Sequence, residues 1–153
     1  MKKQLLLFAF SALTLASCED EDTQAYELDM MKGDWKISKT ETISGKDDKT
    51  IIDTYTPTGC ETKNNAYFST DYSTSYTEYS GTGTNCQVAA VSSGTYEYNS
   101  ETKDLTLKYK NESPMKFKVV ILTSSEMRMK QTSDNIDMDG DTIPDAIYVS
   151  YKR

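Results

Sequence analysis

The sequence predicts an all-β fold, an antiparallel up-and-down barrel of eight to nine short strands. Three observations lead there. Beyond residue 32 the apolar residues recur at every second position, the mark of strands with one face buried and one wet. Tyr, Thr and Val, which suit a pleated, half-buried surface, are abundant in that region. Turn residues punctuate it at short intervals, without the helical segments that parallel crossovers need. Closing so many sequential strands into a barrel removes their exposed edges. A two-sheet sandwich is the alternative.

The elements follow in chain order. Lys2 and Lys3 precede an apolar run from Leu5 to Leu15. A spanning helix needs about 20 apolar residues, so this run reads as an export signal over residues 1–17. It ends in Leu15-Ala16-Ser17-Cys18, which resembles the lipobox of bacterial lipoproteins. The resemblance implies lipidation of Cys18 and removal of the preceding peptide. An ordinary signal peptide with a chance cysteine is the competing reading. Residues 18–27 form an acidic tether, because Glu19-Asp20-Glu21-Asp22 is too polar to pack. This run is also similar to the acidic export tag on surface lipoproteins of Bacteroidetes-type bacteria. That likeness implies an outer-membrane protein, lipid-anchored and exposed at the cell surface.

Residues 28–153 make the barrel domain. Ala25 to Lys32 reads as a short helical turn. Trp35 and Ile37 then open a strand over 34–43. Further strands are expected at 50–56, 65–69, 73–79 and 93–98. Leu105, Leu107 and Tyr109 alternate within 104–110, and Phe117, Val119 and Ile121 within 115–122. Met127 and Met129 mark 125–132, and Ile147, Val149 and Tyr151 mark 145–152. Between them lie turns such as Ser44-Gly45-Lys46-Asp47-Asp48, Ser80-Gly81-Thr82-Gly83 and Asn111-Glu112-Ser113-Pro114.

Composition excludes several functions. The chain has no histidine, so Ser-His-Asp, Cys-His and HExxH chemistry is absent. Its net charge of −7 argues against nucleic acid, whose binding rests on clustered Lys and Arg. Ser100-Glu101-Thr102-Lys103 and Ser133-Asp134-Asn135 fit two β-lactamase-type motifs, but the third, K-T-G, is missing. No enzyme is expected. Apart from Cys18, Cys60 and Cys86 remain, and two cysteines allow one pairing. Export through an oxidising envelope favours a structural disulfide.

Gly33-Asp34-Trp35, opening the first strand, resembles the Gly-x-Trp signature of lipocalins. Cys60 ahead of Ala66-Tyr67-Phe68, then Cys86, Ser93-Gly94-Thr95-Tyr96 and Leu105-Thr106-Leu107 resemble the lipocalin-like lipoproteins of Bacteroidetes. Tyr96 stands where that pattern usually has Trp. The resemblance implies an eight-stranded barrel with a cup-shaped interior. Trp35 would sit at its closed end beneath a basic residue, Arg153 or, failing that, Lys152. A ligand would meet Trp35, Phe68, Tyr76, Tyr96 and Phe117. Tyr72, Tyr98, Tyr109 and Tyr151 are further candidates for the mouth, since a phenol offers apolar area and a polar handle. Ordinary strand packing is the other use of these rings.

One polar constellation remains, Asp134 to Asp145. Alternating carboxylates around Gly140 suit Ca²⁺, which takes six to eight oxygens. An EF-hand reading fails because it places Ala146 where the bidentate Glu belongs. Asp137, Asp139, Asp141 and Asp145 instead resemble a single thrombospondin type 3 calcium repeat. A solvated turn and, at Asp141-Thr142-Ile143, an O-glycosylation site are the other readings. No other cofactor is expected. Taken together, the sequence points to a monomeric, lipid-anchored lipoprotein that binds a small apolar ligand. The alternative is a filled barrel acting as a structural or interaction module of the envelope.

Overall fold

The structure is a computed structural model that describes residues 19–133 and 136–153. Cys18, the export segment before it and Asp134 lie outside the described residues. A helix α1 (Glu19–Met31) precedes β1 (Gly33–Ile43) and β2 (Ile51–Tyr55). A single 3-10 turn (Gly59–Lys63) leads to β3 (Asn65–Phe68), β4 (Ser73–Thr82) and β5 (Asn85–Asn99). The chain continues through β6 (Asp104–Tyr109), β7 (Met115–Leu122), β8 (Glu126–Gln131) and β9 (Ala146–Lys152). No helix among the described residues is long and apolar enough to cross a membrane.

All neighbouring strands pair antiparallel, in the order β2-β1-β3-β4-β5-β6-β7-β8-β9, and β9 returns to β1. The closed barrel therefore has eight strands, with β2 as an extra one. β1 makes this arithmetic work. Its first residues, Gly33 to Lys36, pair with β3, and its last, Thr40 to Ile43, pair with β2. β2 and β3 thus share one side of β1, interrupted by the excursion through the 3-10 turn. The opposite side of β1 belongs to β9 from Lys36, opposite Lys152, to Ile43, opposite Ala146.

Alternation decides which side chains point inward. Trp35 faces Ala66, Leu105 faces Phe117, and Met127 and Ile37 both face Tyr151. Directly opposed residues share a face, so these side chains meet inside the barrel. Trp35, Phe68, Leu105, Met127 and Met129 are wholly buried there. The expected strands are found with small shifts of boundary, except that β5 begins at Asn85 rather than at 93.

The helix differs more. It starts at Glu19 instead of Ala25. Gln24 and Glu27, assigned to the tether by composition, reach the barrel. The Gln24 amide donates to the Tyr98 carbonyl at 2.8 Å and accepts from the Ser100 N–H at 2.8 Å. Glu27 takes the Tyr98 hydroxyl at 2.5 Å and the Lys103 ammonium at 2.6 Å. Leu28 and Met31 complete the contact as members of the core.

Cys60 and Cys86 are bonded, with Cα atoms 5.4 Å apart across 26 positions. The bridge ties the 3-10 turn to the start of β5. A loop of this length should stabilise by about 3.5 kcal/mol through the unfolded chain's lost entropy. Replacing both cysteines by serine should therefore lower the unfolding free energy by about 3.5 kcal/mol, read as a fall in the urea midpoint at unchanged slope, while preserving the far-UV spectrum of a β protein.

Candidate functional site

The two ends of the barrel are chemically distinct. One is sealed. Trp35 donates from its indole N–H to the Met31 carbonyl at 2.7 Å, anchoring the last turn of α1. The Arg153 guanidinium lies 4.1 Å from the Trp35 ring centre, a cation–π distance. Arg153 also donates to the carbonyls of Met30 (2.8 Å), Lys32 and Ser124 (3.3 Å). Gly33 is called for by its backbone: its φ of +110° is a conformation that side-chain-bearing residues rarely adopt, whereas a Cβ there would meet Arg153 only at an ordinary contact distance of 3.7 Å. Of the two basic candidates, Arg153 is the one over Trp35.

Phe68 and Tyr96 lie in the same half, in an edge-to-face pair with centroids 5.3 Å apart. Tyr96 donates its hydroxyl to the Ser69 carbonyl at 2.7 Å, and Tyr72 leans on it at 5.5 Å. Tyr72, Tyr96 and Tyr98 therefore belong to the closed end, not to the mouth. Tyr72 falls in the β3–β4 turn with a φ of +65°, and strand alternation could not place it. An open groove of about 520 Å³ runs outside this end, between α1 and the β5–β6 turn, lined by Gln24, Ala25, Leu28, Tyr72, Tyr98 and Glu101.

The other half of the barrel carries the accessible positions. Tyr76, Met115 and Val149 are half-buried and pack on the core from above, together with Ile37. Tyr109 and Tyr151 lie below them, buried. Burial holds the phenols of Tyr76, Tyr109 and Tyr151 above the ordinary tyrosine range, so all three remain neutral at physiological pH. Among the five side chains expected to meet a ligand, Tyr76 reaches this mouth. Trp35, Phe68, Tyr96 and Phe117 form the packed floor beneath it. Met115 and Val149 are not among the expected ligand contacts, although each continues an inward-facing row, Met115 with Phe117 and Val149 with Tyr151.

The Asp-rich loop joins β8 to β9 at the open end. Asp137, Asp139 and Asp145 bring carboxylate oxygens within 4.8 Å of one another. Asp145 is buried and accepts the N–H groups of Gly45 (3.2 Å) and Met138 (2.6 Å). Asp139 accepts the Ser44 hydroxyl at 3.2 Å. Gly45 is required here, because a Cβ would stand 2.0 Å from the Pro144 carbonyl oxygen. Asp141 does not join the other three. One of its oxygens takes the Ile143 N–H at 2.9 Å, and the other is buried with no hydrogen-bond partner.

Residues 31–129 match the family described as a lipocalin-like domain. The chain belongs to that family. The match spans Trp35, the disulfide and β1 to most of β8, and stops short of β9 and Arg153. This lipocalin-like domain is also similar to two solved structures. A deswapped triple mutant of bovine odorant-binding protein is 12% identical, over 81% of this chain and 74% of that one, with a TM-score of 0.41. The bovine lipocalin allergen Bos d 2 is 12% identical, over 82% of this chain and 74% of that one, with a TM-score of 0.42. Curated proteins gave no match.

The buried phenols of the lipocalin-like domain set an alkaline limit. Burial pushes the Tyr96 hydroxyl up to about 12 from the ordinary 10.0, and burial with the Glu27 carboxylate beside it pushes Tyr98 up as well. The unfolded chain then loses protons before the folded one does. Stability is fully present below pH 10 and falls as the pH rises from 10 toward 12. Spectroscopic titration should show a late group of phenolates appearing together with unfolding. A set of tyrosines all ionising near the ordinary value with the fold intact would contradict this.

Proposed function

We propose that this lipocalin-like domain binds a small apolar molecule at the open end of its barrel, as a carrier and not as an enzyme. The observation that carries this reading is the half-buried ring of Tyr76, Met115 and Val149 above the buried phenols of Tyr109 and Tyr151. Such a site offers apolar area with neutral hydroxyls as polar handles. The apolar side chains and neutral phenols give an anion no partner, and the carboxylates of Glu61, Glu78 and Glu112 nearby disfavour it further. The floor of Trp35, Phe68, Tyr96 and Phe117 is occupied by packing, so the ligand is small and sits high.

The lipobox-like run ending at Cys18 supports attachment to a membrane through acyl chains, each buried CH₂ contributing about 0.8 kcal/mol. The acidic run after it supports placement at the outer membrane, facing the cell surface. Native mass spectrometry of protein taken from its own membrane should reveal a bound small molecule. Met115→Arg, which puts a charge at the mouth, should weaken an apolar fluorescent probe by at least about tenfold, or about 1.4 kcal/mol. Cys18→Ala should move the protein to the soluble fraction with probe binding retained. Equal binding by wild type and Met115→Arg would place the ligand elsewhere, and a soluble wild type would remove the anchor.

A second reading concerns the same end, that of an interaction module steadied by calcium. Asp137, Asp139 and Asp145 would hold a hard cation, their grouped oxygens being the observation in its favour. Calcium would supply charge neutralisation between loops that already meet through Ser44 and Gly45. A ligand selective for the folded state stabilises it by RT ln(1 + [L]/Kd), about 2.7 kcal/mol at a hundredfold excess. The melting temperature should rise with millimolar Ca²⁺, and Asp139→Ala should abolish the rise. Identical melting in chelator and in saturating Ca²⁺ would make the loop a solvated turn.

A further inference from the structure

Three phenols converge in the open half of the barrel, and two of them have a polar neighbour of their own. Tyr76 meets the Asn64 side chain, and Tyr109 meets the Thr74 hydroxyl. Tyr151 faces both of these phenols, but among the described residues its hydroxyl has no hydrogen-bond partner. The residue is only 7% exposed. The buried phenols at the closed end do not stand like this. There Tyr96 donates to the Ser69 carbonyl and Tyr98 to the Glu27 carboxylate.

Register explains why the wall supplies no acceptor. Tyr151 lies opposite Ile37 on β1 and Met127 on β8, so its flanks are apolar. Its ring crosses the interior toward β4 and β6, which carry Tyr76 and Tyr109. Met115 and Val149 pack on the core above it. A buried donor without an acceptor has given up its bond to water and received nothing in exchange. An oxygen that reaches it therefore gains a full hydrogen bond.

We propose that the Tyr151 hydroxyl is the specificity-determining donor of the open end, and that the ligand is a neutral molecule with one acceptor oxygen, such as a ketone, ester or ether. The inference rests on the binding site proposed above and narrows its guest from apolar molecules in general. The guest enters oxygen first, because the donor lies deep and the side chains of Met115 and Val149 lie toward the rim. A hydrocarbon of the same shape leaves the phenol unpaired, and a site built around a hydrogen bond rejects the analogue that lacks it. A carboxylate is rejected for another reason. It would bring a second negative charge toward Glu61, Glu78 and Glu112, whose fields already fall on Tyr76 and Tyr109.

Isothermal titration calorimetry of the purified chain should compare three guests of one chain length: a medium-chain methyl ketone, the alkane and the carboxylate. The ketone should bind at least about fivefold more tightly than the alkane, and the carboxylate most weakly. Tyr151→Phe keeps the ring and removes only the donor, so it should erase the ketone's advantage. The infrared carbonyl stretch gives a second readout that packing alone would not move. In the wild type the bound ketone should absorb at lower frequency than in an alkane solvent, and in Tyr151→Phe it should return to the solvent value. A ketone preference that survives Tyr151→Phe, or an unshifted carbonyl in the wild type, overturns the assignment and leaves the hydroxyl to water. Ketone and alkane binding equally, with Met115→Arg weakening both, overturns it while the open-end site stands. If neither guest binds the wild type, the open-end site falls and this inference falls with it.

Discussion

The pairing of β1 with β9 turns a curved sheet into a closed wall, and the rest of the molecule is arranged around it. The two strands lie more than a hundred positions apart, so the loop-closure entropy is met only by contacts formed at once along their length. β1 supplies those contacts on both edges. It is shared by β9 on one side and by β2 and β3 on the other. A residue of β1 that shifted register would misplace three neighbours together. The bulge between Ile37 and Lys39 lets one strand satisfy partners whose inward faces would otherwise fall out of phase.

Each end of this pairing is closed by long-range polar contacts of different character. At the sealed end a single guanidinium covers an indole and gathers carbonyls from α1, the following residue and the β7–β8 turn. At the open end carboxylates do the corresponding work, with Asp139 on Ser44 and Asp145 on the Gly45 N–H. The first group is cationic and stays exposed while lying over its aromatic partner. The second is anionic, crowded and reachable by a cation. One end is thus finished by a cation on a ring, and the other by carboxylates on backbone N–H groups and a hydroxyl.

Much of this was legible in the sequence because burial leaves a period. Strands β6 and β8 bury every second residue, and β7 does so as far as Val119, beyond which a bulge turns Ile121 outward. The first eight residues of β5 were not legible, since Val88-Ala89-Ala90-Val91 buries neither face and has no period to read. Helix α1 was only partly visible. It attaches through Gln24 and Glu27 as much as through Leu28 and Met31, so polar residues that look like solvent-facing tether are contacts. The site was legible in part for a similar reason. Aromatic identity picks out Tyr76, but only topology separates it from Tyr72 and Tyr98, which lie at the opposite end. In the Asp loop, spacing identified four carboxylates, and turn geometry diverted Asp141 to its own backbone.

Trp35 is the chain's single tryptophan, and its surroundings make it an optical reporter of one end only. Its ring is fully buried, its N–H is held by the Met31 carbonyl and its face is covered by a cation. Emission from this indole will register detachment of α1 or withdrawal of Arg153. It will stay nearly silent while a molecule enters or leaves at the far mouth, past Tyr76. Intrinsic fluorescence therefore measures the seal, and occupancy of the mouth has to be followed through the tyrosines or through the guest itself.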